Sequence, residues 1–365
     1  LWNRTFAGES AILPVRRFDV SGFPVRNAAL VPGDDPPPDR SRLYELLDSI
    51  RADATDIPRD TPFLLATSKG EIDLFEKALR DSGSLPSDFS TARVLSTAAR
   101  SFGLDDEGLV VSAACASATT ALAMAADRIR RGRCESVLVL AADLVTPFVF
   151  SGFVSLMALD PKPARPFDRD RRGLSLGEGA AWTLLSTRKN AERRGYPIFG
   201  FLHGWGCSND ANHATGPSRD GDGLARAIRL ALGRARLDAP AIRAVCAHGT
   251  GTRYNDWMEI RALESIFTRI RPPVFSIKGT TGHLLGACGL VETLFAARAS
   301  GEGRVPPAAN LQNLDPAAEG WVPPDGARFP PGAVLSTNSG FGGINAALIV
   351  SRASPGNPAG RENAS

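Results

Sequence analysis

One cysteine and two of the four histidines stand where strands give way to helices. Cys115 lies in "VVSAACASATTAL", after an apolar, partly β-branched stretch and before a run in which Ala118, Leu122, Ala125 or Ala126, and Ile129 keep to one helix face. That spacing predicts a strand ending near Ser112 and a helix from Ala116. Cys115 then sits at a helix N-terminus, where unpaired N–H groups favour a thiolate over the ordinary thiol pKa of about 8.5. Taken alone, a cysteine among alanines reads as a small buried hydrophobe. His248 follows a buried-strand pattern in "RAVCAHGT" and opens a glycine and hydroxyl loop that carries Thr250 and Thr252. In "SIKGTTGHLLGACGLVE", His283 comes five residues after Lys278 and nine before Glu292, across a predicted strand-to-helix turn. A thiol, two imidazoles, an ammonium and a carboxylate at such turns form a set for nucleophilic catalysis that packing alone does not predict.

The elements that must position these groups alternate along the chain. Helices are predicted over "SRLYELLDSIRA", "EIDLFEKALRDS" and "ARVLSTAARSFG", and buried strands at "TPFLLATS", "GLVV" and "SVLVLAAD". "GLSLGEGAAWTLLST" reads as two strands broken by glycines. Near Tyr196 a second series begins with strand "IFGFLHGWG" and closes with "GAVLSTNS" and "NAALIVS". Alternating strands and helices imply an α/β protein with helices covering mostly parallel sheets. The two series echo each other: each runs strand, small-residue turn, apolar helix, glycine, arginine. Two similar halves, 1–195 and 196–351, would face their turns into one cleft, leaving 352–365, rich in Pro, Gly, Asn and Ser, as a flexible tail.

Composition removes several classes of function. Net charge of +3 over 365 residues leaves no nucleic-acid footprint. No apolar run approaches the roughly 18 residues of a membrane span, and "LWNRTFAGES" lacks a signal-peptide pattern, so a cytoplasmic location is expected. Five cysteines without paired spacing argue against a disulfide framework and against a metal site. "GEGA" and "SGFGG" lack the strand–GxGxxG–helix setting of a nucleotide site.

Taken together, "ACASATTAL", "RPFDRDRRGLSLGEGAA", "HGTGTRYND", "KGTTGHLLGACGLVE" and "NSGFGGINAALIV" occur in the order of the β-ketoacyl-[acyl carrier protein] synthases, condensing enzymes of the thiolase superfamily, which the chain resembles from Ser10 to Val350. The resemblance implies a thiolase-like fold of five layers, α-β-α-β-α, and the elongating branch with one cysteine and two histidines. It implies Cys115 as nucleophile, His248 and His283 as N–H donors to an enolate, and Lys278 and Glu292 as the pair ordering them. The backbone N–H groups of Cys115 and Phe341, between Gly340 and Gly342, match an oxyanion hole and gate. Thr250 and Thr252 match residues that bind the pantetheine arm. No tightly bound cofactor is implied, since substrates arrive on the phosphopantetheine of an acyl carrier protein. The partners expected are that carrier and a second ketosynthase-like chain, as homodimer or heterodimer. Arg169, Arg171 and Arg172 of "RDRR" could dock the acidic carrier.

The activity implied is transfer of an acyl group to Cys115 and its decarboxylative condensation with a malonyl carrier, in fatty-acid, polyketide or polyene synthesis. The alternative is a non-catalytic, chain-length-determining partner subunit, which typically lacks the cysteine. A thiolase would place a second cysteine where "SGFGG" stands. Three departures accompany the resemblance. The chain starts at Leu1 without the usual first strand, suggesting a truncated chain and an unfilled sheet position. The stretch from Asn27 to Val110 is short, with an atypical "DTPFLLATSKGEID". Ser339 stands where fatty-acid members carry a phenylalanine, which suggests a looser gate and a specialised pathway.

Overall fold

The structure, a computed structural model, describes residues 1–33, 36–37, 39–52, 54, 56–81, 90–105 and 108–352. The proposed tail, apart from residue 352, lies outside the described residues, as does part of the loop "PGDDPPPD". Helix α1 (Trp2–Phe6) and the short ladder β1 (Leu13–Pro14) with β2 (Asn27–Ala28) come first. The first half then holds α2 (Arg42–Arg51), β3 (Phe63–Ala66), α3 (Ile72–Asp81), α4 (Thr91–Phe102), β4 (Leu109–Val111), α5 (Ser117–Arg130), β5 (Ser136–Asp143), α6 (Pro147–Ser155), β6 (Gly179–Ser186) and α7 (Arg188–Arg194). The second holds β7 (Gly200–Asn209), α8 (Asp222–Ala235), β8 (Ile242–Cys246), α9 (Arg253–Ile266), β9 (Val274–Phe275), α10 (Lys278–Thr281) and α11 (Cys288–Glu302). The ladder of β10 (Arg304–Val305) with β11 (Ala327–Arg328) follows, then β12 (Ala333–Gly340) and β13 (Ile344–Arg352).

Two sheets result, a four-stranded one in the order β4-β3-β5-β6 and a five-stranded one in the order β7-β13-β12-β8-β9. In each, three adjacent strands are parallel and an antiparallel one follows: β3 runs with β4 and β5, and β8 with β9 and β12. The echo between the two series is therefore topological. Strands β4 and β9, the edge strands that lead into the Cys115 and His283 turns, occupy matching places. Among the described residues nothing in the first sheet corresponds to β7, so the position beside β6 is open.

Strand β5 shows why the halves stack. Its Leu138 and Leu140 face α2 and α4 in a core with Leu43, Leu47, Phe63, Leu65 and Ala98, while Val137, Val139 and Ala141 face α5 on the other side. A strand buried on both faces cannot alternate apolar with polar, which is why "SVLVLAAD" is continuously hydrophobic. On the second sheet Val245, Leu335 and Ile349 pack against Leu224 and Ile228 of α8 and Met258 and Leu263 of α9. Helices α5 and α11 lie between the two sheets, so the order of layers is α-β-α-β-α. The small residues of "ACASATTAL" serve this middle layer: Ala116, Ala118 and Ala121 are fully buried, and a Cβ on Gly289 of α11 would sit 2.0 Å from Thr119 Oγ1.

Three differences from the predicted elements bear on the site. Helix α6, whose apolar "PFVFSGFVS" gives no clear period, was not expected; Thr146 caps it by accepting from the Val149 N–H. "GLSL" is not a ladder strand. It crosses between the halves, with His283 N–H donating to Ser175 O at 2.7 Å and Gly177 N–H to His283 O at 2.9 Å. Residues of the extreme N-terminus pack on the second half, Trp2 with Phe295 and the Ala11 N–H donating to Thr280 O.

Candidate active site

Cys115 sits in a tight strand-to-helix turn whose geometry its neighbours fix. Ala114 takes the left-handed conformation at φ 48°, a strained state for a residue with a Cβ. Ser117 holds it there, its hydroxyl accepting from Ala113 N–H at 2.8 Å and donating to Ala114 O at 2.6 Å. The end of β12 presses against this turn: a Cβ on Gly340 would lie 3.0 Å from Ala113 O and 3.2 Å from the Cys115 nitrogen. Only glycine allows that approach without displacing the backbone, and the approach aims the Phe341 N–H at the Cys115 sulfur. The expected low-pKa thiolate is not the resting state. Burial pushes the Cys115 thiol up to about 11, against the downward pull of Lys278, Lys69 and the Phe341 N–H. Desolvation outweighs the helix terminus here.

His248 and His283 meet edge to face, ring centroids 5.2 Å apart at 87°, and each ring brings a nitrogen within 4.8 Å of the Cys115 sulfur. Both Nδ1 atoms are acceptors. That of His283 takes the Leu285 N–H at 3.0 Å; that of His248 faces Lys278 Nζ and Asn338 Nδ2, each at 3.1 Å. Burial first, then the Lys278 charge, drives both imidazoles well below their ordinary pKa, so both are neutral. A neutral imidazole whose Nδ1 accepts must carry its proton on Nε2. Two Nε2–H donors therefore converge in front of one sulfur.

The buried pair behind them sets that tautomer. Lys278 Nζ spends its three protons on Glu292 Oε1, His248 O at 2.6 Å and His248 Nδ1. Burial presses its pKa down, but the Glu292 carboxylate more than reverses this and keeps it an ammonium. Burial pushes Glu292 upward, opposed by Lys278 and by Asn338 Nδ2, which donates to Oε2 at 2.8 Å. Asn338 is itself oriented by the Thr119 hydroxyl on its Oδ1. A carboxylate on α11, an amide on β12 and a hydroxyl on α5 thus hold one ring.

Asn338, Asp143, Asp256 and Glu259 were not singled out from the sequence. Glu259 accepts from the His248 N–H at 2.7 Å and the Gly249 N–H at 2.6 Å; burial, then Asp256, raises it to about 7. Asp256 accepts from the Phe167, Thr250 and Gly251 N–H groups. A signal was present: in "RYNDWMEI" these two acids fall three residues apart, on the buried face of α9. Thr250 and Thr252 lie together on this loop, their hydroxyl oxygens 2.9 Å apart.

One expectation is corrected. Arg171 is no docking residue: it is buried, paired with Asp315 at 2.5 Å and Asp256 at 3.4 Å, and locks the loop before β6 onto the start of α9. Arg169 and Arg172 are exposed. Ser339 is half-buried. Its hydroxyl donates to Asn345 Oδ1 at 2.7 Å on the neighbouring strand. Phe341 is stacked on Phe153 at 5.8 Å between centroids. Gly342, at φ 84°, lets the chain turn there. Beside Cys115 opens a cavity of about 230 Å³, walled by Phe148, Val149 and Phe153 of α6 with Leu285 and Phe341. Lys69 also lines it.

All five cysteines are unpaired. The ligand atoms of Cys115, His248 and His283 lie within 4.8 Å of one another, as do those of His248, Cys288 and Glu292. In both groups Nδ1 or the carboxylate is already committed to a protein donor. No helix among the described residues is long and apolar enough to cross a membrane.

Comparison with known proteins gives a consistent answer. The family model "Beta-ketoacyl synthase, N-terminal domain" matches residues 68–191, and "Beta-ketoacyl synthase, C-terminal domain" matches 199–312. The chain is 37% identical over 260 residues to the tetracenomycin polyketide synthase ketoacyl synthase alpha subunit of Streptomyces glaucescens, covering 68% of this chain and 61% of that protein. It thus spans less than two thirds of that relative's length. It is 28% identical over 394 residues to 3-oxoacyl-[acyl-carrier-protein] synthase 2 of Coxiella burnetii, covering 96% of this chain and 94% of that protein. Among solved structures, the ishigamide ketosynthase/chain length factor superposes with a TM-score of 0.87 at 29% identity, over 96% of this chain and 94% of that one.

Proposed function

The chain belongs to the β-ketoacyl synthase family, and we propose that it catalyses decarboxylative Claisen condensation of an acyl group with a malonyl thioester, both delivered on the phosphopantetheine of an acyl carrier protein. The observation that carries this reading is the pair of neutral imidazoles whose Nδ1 atoms are both occupied. Such a pair can only donate toward Cys115. An enzyme that needed a base there would leave a lone pair free.

In the first step the Cys115 sulfur attacks the acyl thioester carbon, and the new C–S bond replaces the one to pantetheine. The thiol proton leaves on the departing pantetheine sulfur. The Phe341 N–H, the Lys278 and Lys69 charges and the start of α5 favour negative sulfur during attack. In the second step the malonyl carboxylate leaves as CO2, and its bonding electrons form an enolate. The oxygen of that enolate sits between the two Nε2–H groups, each donor being worth roughly 2.7–4 kcal/mol in a dry site. In the third the enolate carbon attacks the acyl carbon, the oxyanion is held by the Cys115 and Phe341 N–H groups, and collapse breaks the bond to sulfur and expels the Cys115 thiolate, which regains its proton from water. Thr250 and Thr252 serve the pantetheine arm, and exposed Arg169 and Arg172 the carrier. The five free cysteines fit a cytoplasmic protein.

Half 1–195 supplies the Cys115 turn of this cleft, and half 196–351 the His248 and His283 turns. Strand β4 is a sheet edge with Leu109 47% exposed, which fits pairing with a second ketosynthase-like chain across it. A chain-length-determining partner subunit is the second reading, favoured by the similarity to a ketosynthase/chain length factor. The occupied Cys115, His248 and His283 positions speak against it. Intact mass decides: wild type and Cys115→Ala are incubated with acyl carrier thioesters, then malonyl carrier. Acyl mass on wild type only, then discharge as β-ketoacyl product, is expected; no acylation alone or with a partner chain overturns the catalytic reading.

A further inference from the structure

Among the described residues, Lys69 is the one charged residue lining the cavity beside Cys115, whose other walls include Phe148, Val149, Phe153 and Leu285. Its turn is built rather than loose. Buried Asp143 accepts from Thr67 Oγ1 at 2.9 Å and from the Ser68 N–H at 2.9 Å, and Thr67 Oγ1 in turn accepts from the Gly70 N–H at 3.0 Å. The same carboxylate takes the Gly286 N–H at 2.6 Å, tying the Lys69 turn to the His283 segment of the other half. Among the described residues, the hydrogen bond found for the ammonium goes to Ser68 Oγ at 3.1 Å, and no carboxylate lies in ion-pair contact with it. Its other two protons have no acceptor among the described residues. A lysine that only laid its stem along the surface would be electrostatically remote. Here the charge is felt at Cys115, His283 and Asp143, all buried.

A saturated chain entering about 230 Å³ would displace water from this ammonium and offer nothing in return. A keto or carboxylate oxygen would accept a charge-assisted hydrogen bond. We propose that Lys69 makes this cavity selective for acyl groups that carry an acceptor oxygen over plain hydrocarbon acyl groups. The inference rests on the reading that Cys115 is acylated, and it names the substrate class of that site.

The test loads the whole protein with N-acetylcysteamine thioesters of hexanoic, 3-oxohexanoic and adipic acid, following acylation rate against thioester concentration by intact mass. Wild type is expected to load at least one oxygen-bearing acyl group about tenfold or more faster than hexanoyl, the worth of a hydrogen bond to a charged group. Lys69→Met should reverse that order, and Lys69→Arg, which keeps the charge, should retain it. Equal loading of all three by wild type, or an equal slowing of all three in Lys69→Met, overturns the selectivity while leaving the condensing-enzyme reading intact. Failure of wild type to load any donor overturns both.

Discussion

Removing one of the two converging imidazoles tests the mechanism most directly. In His283→Ala the Nε2–H donor is lost while His248, held by Lys278, Asn338 and its own N–H to Glu259, keeps its place. One oxyanion donor in a dry site is worth roughly 2.7–4 kcal/mol, so condensation should fall by about 10²–10³. Acyl transfer to Cys115 develops its charge at the Cys115 and Phe341 N–H groups instead, and should fall by less than about tenfold. The substitution also strips the Leu285 N–H of its acceptor, costing about 1–3 kcal/mol of stability. A thermal melt therefore accompanies the kinetics. The assay is single-turnover mass spectrometry in two stages: the rate of acyl gain with an acyl thioester, then the rate of β-ketoacyl product release from pre-acylated protein with malonyl carrier. His283→Asn, which restores an N–H donor, should recover part of the second rate. The reasoning fails if a folded His283→Ala keeps more than about a tenth of the condensation rate, or if acylation falls as far as condensation.

A thiol raised to about 11 is protonated and sluggish at neutral pH and reacts as its thiolate, so the rate of Cys115 alkylation by iodoacetamide should still climb between about pH 8 and 10; a plateau near pH 8 would mean that the helix terminus, not burial, dominates. Gly289→Ala forces a methyl to within 2.0 Å of Thr119 Oγ1 and 2.9 Å of Asn338 Oδ1, and should lower stability by about 1–3 kcal/mol, read by denaturant melts. Arg171→Glu leaves Asp256 and Asp315 without their cation and adds a buried like charge, a loss of about 3–5 kcal/mol, whereas the exposed Arg172→Glu should melt like wild type and show any docking effect in the carrier KM alone.

Much of the site was legible because its residues fall in local turns with a recognisable residue order. Cys115, His248, Lys278, His283 and Glu292 could be picked out, and the buried strand β5 and helices α2, α4 and α5 follow from apolar spacing. Helix α6 was missed because "PFVFSGFVS" is hydrophobic without a period, and it turned out to wall the cavity. Arg171 was misjudged because "RDRR" looks like a solvated turn until Asp256 and Asp315 arrive from elsewhere in the chain.

The sequence by itself determined which groups are present, that strands and helices alternate in two echoing series, and that a thiol and two imidazoles lie at the ends of strands. Tertiary structure decided their protonation. Whether Cys115 rests as thiol or thiolate, and which nitrogen of each histidine carries the proton, depends on burial and on partners such as Asn338, 55 residues from His283 and 90 from His248 in sequence. Desolvation and hydrogen bonding act through space, and no spacing along the chain encodes them.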